Sequence, residues 1–180
     1  MIVKFWYPDR AYTSHKDAIL SEIDRVCTAG DLILRKDVES FEQNLARFLG
    51  VRHVVGVASG TDAILLSLTA LGIKPGDKVA VPSYTFRATV EAVVHAGGIP
   101  VLYDMDGPIF TDEKFWVPAH MEGRIEPWFD VMMKKAKRKG ITVVEDACQA
   151  IKAHPVVGRT ACYSFYPAKI LGCLGDGGAV

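Results

Sequence analysis

Ile141-Thr142-Val143-Val144-Glu145-Asp146 is a β-branched run that ends in two carboxylates. Its composition predicts a buried parallel strand that delivers Asp146 to a sheet edge. In open α/β sheets, ligands sit beyond such carboxyl ends. Downstream, Tyr163-Ser164-Phe165-Tyr166-Pro167-Ala168-Lys169 leads into a glycine-rich segment from Gly172 to Gly178. A strand-end aspartate plus a lysine among small residues is the pair that a pyridoxal phosphate site needs. The lysine forms a Schiff base, and the aspartate pairs with the pyridinium nitrogen.

Working outward, strands and helices alternate. Short apolar runs predict strands over residues 53–58, 78–81, 99–103, 115–118 and 161–165, the first of them buried. Helical periodicity marks residues 14–29 (Ile19, Ile23 and Val26 on one face), 37–49, 63–71, 85–96 and 127–139. Ser14 and Asp37 are the expected caps, and Gly30, Gly50 and Gly140 the expected stops. Lys74-Pro75-Gly76-Asp77 reads as a turn and residues 105–114 as a polar loop. The alternation predicts an α/β fold of three layers, a mainly parallel sheet covered on both faces, in one domain over residues 1–180.

Bulk composition narrows the function. A hydrophobic fraction of 49% over 180 residues supports a full core. Lys+Arg 21 balances Asp+Glu 21, so no global field favours nucleic acid or an anionic membrane. The basic run from Lys134 to Lys139 suits a helix C-terminus. No apolar stretch approaches the roughly 20 residues of a membrane span. Cys27, Cys148, Cys162 and Cys173 form no metal-type spacing and predict buried, reduced thiols. With no signal-peptide plan at Met1 to Trp6, a cytoplasmic protein is expected.

Three further stretches carry candidate chemistry. Ser59-Gly60-Thr61-Asp62 joins a strand to a helix, and the unpaired amides of such a helix start hold anions. Gly60 lets backbone approach closely, and Thr61 adds a hydroxyl. Taken alone, the stretch also reads as an ordinary N-cap turn, with Thr61 or Asp62 capping. Phe86, in a first helical turn, points to the same sheet edge or packs in the core. His120, at a strand end, reads as structural.

Six stretches, in order, resemble the DegT/DnrJ/EryC1/StrS family of sugar aminotransferases, pyridoxal phosphate enzymes of aspartate-aminotransferase fold type I. They are Val38-Glu39-Ser40-Phe41-Glu42, Ser59-Gly60-Thr61-Asp62-Ala63, Thr85-Phe86-Arg87-Ala88-Thr89, Glu145-Asp146-Ala147-Cys148-Gln149-Ala150, Ser164-Phe165-Tyr166-Pro167-Ala168-Lys169 and Gly175-Asp176-Gly177-Gly178-Ala179. The resemblance implies that Lys169 holds the cofactor, Asp146 pairs with its ring nitrogen and Gln149 bonds its ring hydroxyl. It implies that Phe86 stacks on the ring, and that Thr61, Ser164 and the Asp62 backbone amide hold the phosphate, with Gly60 in the same cradle. No metal is implied. Glutamate is the implied amino donor, a keto group on a nucleotide-linked deoxysugar the acceptor, and a homodimer the implied assembly.

The chain departs from the family pattern in length. It resembles only the N-terminal, large-domain portion, so the C-terminal small domain is expected to be absent and transamination weak or absent. The connections over residues 106–114 and 153–160 are short for the family, and Ile170 stands where a polar residue is common. Two other readings stay open: a silent remnant serving as a binding or dimerisation module, and another fold-type-I enzyme such as an amino-acid lyase.

Overall fold

The computed structural model describes residues 7–30, 32–107 and 112–180. The N-terminal hexapeptide and part of the polar loop at 105–114 lie outside the described residues. Among those described, the chain order is α1 (Pro8–Ala29), α2 (Lys36–Leu49), β1 (Gly56–Val57), α3 (Gly60–Ala70), β2 (Lys78–Pro82), α4 (Arg87–His95) and β3 (Ile99–Tyr103). It continues with β4 (Phe115–Trp116), a 3-10 turn (Met121–Gly123), α5 (Phe129–Lys139), β5 (Thr142–Asp146), β6 (Thr160–Ser164) and β7 (Gly178–Ala179).

One sheet runs β1-β7-β6-β5-β4-β2-β3. β7 is antiparallel to both neighbours, and every other pair is parallel. Successive side chains on a strand face opposite ways, and the core divides accordingly. Val79, Val81, Phe115, Val117, Val144 and Cys162 pack with Ile64 and Leu68 of α3 and Val93 of α4. On the other face, Ala80, Trp116 and Val143 meet Met132 and Ala136 of α5. Further along that face, Ala161 and Tyr163 meet Leu45 and Ala46 of α2. This is the expected three-layer α/β arrangement, and it leaves the ends of β2, β4 and β5 pointing to one edge.

Several local readings need correction. α1 begins at Pro8, so Ser14 is inside the helix and its hydroxyl donates back to Arg10 O at 3.0 Å. Proline at a first turn loses no hydrogen bond, a start signal that apolar periodicity does not register. The predicted stripe of α1 is not buried: Ile23 is exposed, and only Ile19 and Val26 of its described side chains are partly covered. Arg35, not Asp37, is the N-cap of α2, and Asp37 instead pairs with Arg25. The run 53–58 contributes only Gly56–Val57 to the sheet, as a half-buried edge strand antiparallel to β7. Gly30, Gly50 and Gly140 do end their helices, each at a left-handed φ of 70°, 73° and 69°. Of the cysteines, Cys162 alone is fully buried, Cys148 is intermediate, and Cys27 and Cys173 are exposed.

Candidate active site

A cavity of about 720 Å³ opens at the sheet edge, and its walls include Gly60, Thr61, Phe86, Asp146, Gln149, Ser164 and Lys169. Residues spread over more than a hundred positions thus converge on one space. An adjoining hollow of about 330 Å³ shares Cys148, Gln149, Ser164 and Lys169 and is bordered by Glu122 and Tyr163.

Each side chain arrives by a definable local route. β5 ends at Asp146, which is 7% exposed. Its amide donates to Pro118 O at 2.9 Å and its carbonyl accepts from the His120 amide at 3.0 Å, so its backbone is gripped on one side. Its Oδ1 accepts from the Cys148 amide at 3.1 Å and its Oδ2 from the Thr89 hydroxyl at 2.6 Å. Lys169 sits in the turn after β6, where its amide donates to Tyr166 O at 2.8 Å. Phe86 is the N-cap residue of α4 rather than a member of its first turn, and its ring is 58% exposed at the cavity wall. The core alternative for Phe86 is thereby excluded.

Gly60 opens α3. A Cβ placed there would lie 2.7 Å from Cys148 Sγ and 2.8 Å from Ser164 Cβ, so only glycine fits without displacement. Gly60 and Thr61 occupy the first two positions of the helix, whose amides have no carbonyl one turn back to bond. Asp62 does not follow the expected role. Its amide donates to Ser59 Oγ at 3.1 Å, and its carboxylate accepts the Ser59 hydroxyl at 2.8 Å. Asp62 is also not among the residues that line the cavity. Ser59, rather than Thr61 or Asp62, is therefore the N-cap, while Gly60 and Thr61 line the cavity.

Gln149 is oriented by a neighbour the sequence did not single out. The Glu122 amide donates to Gln149 Oε1 at 3.0 Å, which leaves the Gln149 amino group as its remaining donor. Glu122 adopts φ 58°, ψ 27°, and its carboxylate accepts the Tyr84 hydroxyl at 2.7 Å. Three loops on the same edge are thus tied together.

On the far side of β5, Glu145 is wholly buried with a full set of donors. Its Oε1 accepts the amides of Val157, at 2.8 Å, and Gly158. Its Oε2 meets His120 Nε2 at 3.3 Å and His154 Nε2 at 3.0 Å. Burial works to raise the Glu145 pKa, but His120 and the two amides together hold it below the ordinary range, with His154 adding to the effect. The Glu126 amide donates to His120 Nδ1 at 3.2 Å, so a neutral His120 carries its proton on Nε2, towards Glu145. The donor atoms of His120, Glu145 and His154 lie within 4.8 Å of one another, the spacing of a metal site. A metal-ligating histidine normally donates its other nitrogen's proton outward; here that nitrogen accepts. The cluster is a satisfied hydrogen-bond hub. His120 is held as a structural residue by these bonds and also lines the cavity beside Asp146.

Glu126 has the opposite balance. It is 4% exposed, and burial pushes its pKa up to about 7 against the lowering pull of the Tyr103 hydroxyl and the Ala119 amide. Cys148, inside a quoted motif but given no role, borders the cavity, and burial followed by the Asp146 charge pushes its thiol well up.

Comparison with known proteins decides the lineage. A profile of the DegT/DnrJ/EryC1/StrS aminotransferase family matches residues 13–180. The chain belongs to this family. It is 38% identical to a UDP-N-acetyl-3-dehydro-alpha-D-glucosamine 3-aminotransferase of Acidithiobacillus ferrooxidans, covering 92% of this chain and 49% of that protein. It is 37% identical to a UDP-2-acetamido-2-deoxy-3-oxo-D-glucuronate aminotransferase of Pseudomonas aeruginosa, covering 92% and 51%. Among solved structures, DesV of S. venezuelae superposes with a TM-score of 0.89 at 36% identity, over 98% of this chain and 52% of that one. NtdA of Bacillus subtilis, solved with bound cofactor PMP, superposes at 0.88 and 32% identity, over 98% and 44%. The chain therefore spans about half the length of the relatives it matches. Among the described residues no helix is long and apolar enough to cross a membrane.

Proposed function

We propose that this chain binds pyridoxal 5'-phosphate through Lys169 and serves an aminotransferase that moves nitrogen from glutamate to a keto group of a nucleotide-linked deoxysugar. The observation that carries the reading is the convergence of Lys169, Asp146, Gln149, Ser164, Thr61, Gly60 and Phe86 on one cavity. The donor set fits the group. A carboxylate would suit a ring nitrogen, an amide donor a ring hydroxyl, and two helix-start amides with two hydroxyls a phosphate. When bound, the cofactor supplies an electron sink for exchange at the carbon–nitrogen bond.

The chain's own residues then have separable tasks. Asp146, fixed by the Thr89 hydroxyl and the Cys148 amide, would hold a proton on the ring nitrogen. Gln149, its carbonyl already used by the Glu122 amide, offers its amino group. Phe86 shields one face of the cavity from water with an exposed ring. Gly60 and Thr61 present backbone amides, and Ser164 and Thr61 present hydroxyls, to an anion. The Lys169 amine would also be the base that moves the proton at the amino donor's α-carbon.

The substrate assignment draws on the relatives, whose names specify nucleotide-linked keto sugars. A homodimer is the assembly proposed, supported by the exposure of Ile33, Leu34 and Ile170 at 75%, 78% and 76%. The test of function is a half-reaction. Glutamate added to the cofactor-loaded chain is expected to bleach its visible band with stoichiometric 2-oxoglutarate, and a keto nucleotide sugar to restore it. A loaded chain that reacts with amino acids by cleavage, with no 2-oxoglutarate released from glutamate, contradicts the aminotransferase reading.

A further inference from the structure

The expected site contains Asp146 but says nothing of what holds its carboxylate. Thr89 lies on α4 with no exposed surface, and its hydroxyl is 2.6 Å from Asp146 Oδ2. The Thr85 hydroxyl is 2.7 Å from the Thr89 hydroxyl. An ionised carboxylate only accepts, so Thr89 spends its single proton on Asp146, and Thr85 must donate to Thr89. The chain of hydroxyls therefore has one direction, from Thr85 through Thr89 to Asp146.

We propose that Thr89, backed by Thr85, is a positioning residue that orients the Asp146 carboxylate towards the ring nitrogen of the bound cofactor. The proposal rests on the cofactor reading above. Torsion about the carboxylate bond is broad when unrestrained. Here Oδ2 is bonded to Thr89 and Oδ1 to the Cys148 amide, so both oxygens are fixed before any ligand arrives. Each retains a second lone pair. Preorganised acceptors of this kind act without reorganisation at the moment of need. Thr85 and Thr89 are four residues apart, flanking Phe86, the N-cap of α4. One helix start thus sets both the aromatic wall and the acid's orientation.

The test uses Thr89→Val, which keeps shape and removes the hydroxyl, Thr89→Ser, which restores it, and Thr85→Val. Each is loaded with pyridoxal phosphate, and both the dissociation constant and the pH midpoint of the visible band are read. A carboxylate free to rotate holds the ring-nitrogen proton less firmly, which leaves the lysine linkage more basic. Thr89→Val is therefore expected to raise the midpoint by about half to one pH unit and weaken binding about five- to tenfold, the scale of one ordinary hydrogen bond. The added basicity of a carboxylate that has lost a donor acts the opposite way, so a lowered midpoint overturns the positioning role. Thr89→Ser is expected to match wild type, and Thr85→Val to shift the midpoint the same way by less. An unmoved midpoint in Thr89→Val, or a Thr89→Ser that behaves like the valine variant, overturns the proposal. Should Thr89→Val not fold, an unmoved midpoint in Thr85→Val overturns it instead. A wild type with no band removes the cofactor reading and the proposal together, whereas a normal wild-type band with unmoved variants removes the proposal alone.

Discussion

Gly60 and Ser164 approach so closely that a Cβ on Gly60 would stand 2.8 Å from the Ser164 Cβ. The contact joins the start of α3 to the end of β6 and shapes the wall assigned to the phosphate. Cys148 Sγ closes the other side at 2.7 Å. Gly60→Ala is expected to force these elements apart, costing about 1–3 kcal/mol by overpacking. Cofactor affinity should fall more than tenfold, read by titration of the visible band beside a thermal melt.

Phe86 makes the reverse prediction. Its ring is 58% exposed and contributes little to the core. Phe86→Ala should change stability by no more than about 0.5 kcal/mol, yet weaken cofactor binding measurably. A large drop in melting temperature with unchanged binding would show that the ring packs rather than stacks.

Glu145 tests the buried hub. Four donors converge on its carboxylate, two amides and two imidazoles. Glu145→Gln places an amino group among donors and removes the compensating charge, an expected loss of about 3 kcal/mol. Calorimetry should show Tm lower by about 10 °C. Added zinc should not raise the wild-type Tm, because the histidine nitrogens are already engaged.

Glu126 gives stability a pH dependence of stated sign. Its folded pKa of about 7 exceeds its ordinary 4.5, chiefly through burial. The folded state therefore holds the proton more tightly than the unfolded chain. This contribution is complete below pH 4.5, declines as pH rises, and is lost once pH passes about 7. The full span amounts to about 3 kcal/mol. Denaturant melts from pH 4.5 to 8 should show the decline, and Glu126→Gln should flatten it.

Much of this was legible in the chain itself. The β-branched run to Asp146 and the helix stripe of α5 are local patterns, and both survive folding. Gly60, Thr61, Phe86, Asp146 and Ser164 were legible because each closes a strand or opens a helix, where α/β sheets expose chemistry, while Gln149 and Lys169 lie in the turns that follow β5 and β6. Asp62 was misassigned because a cap and an anion site use the same residue types, and only geometry shows that Ser59 had taken its amide. The edge strand β1 was overrated because its length depends on a partner over a hundred residues away. Thr89, Glu122 and the Glu145–His154 contact depend on tertiary proximity, which no local spacing encodes. For Thr89 one signal was available: it shares a quoted stretch with Thr85, a second hydroxyl four residues before it, just ahead of the α4 N-cap.

The account stands on Lys169 carrying the cofactor. The chain should be saturated with pyridoxal phosphate, reduced with borohydride, digested and mapped by mass spectrometry. A visible band that disappears on reduction, with the pyridoxyl mass on Lys169 and neither signal in Lys169→Ala, is the result predicted. No band at saturation, or label on other lysines with Lys169 unmodified, contradicts it.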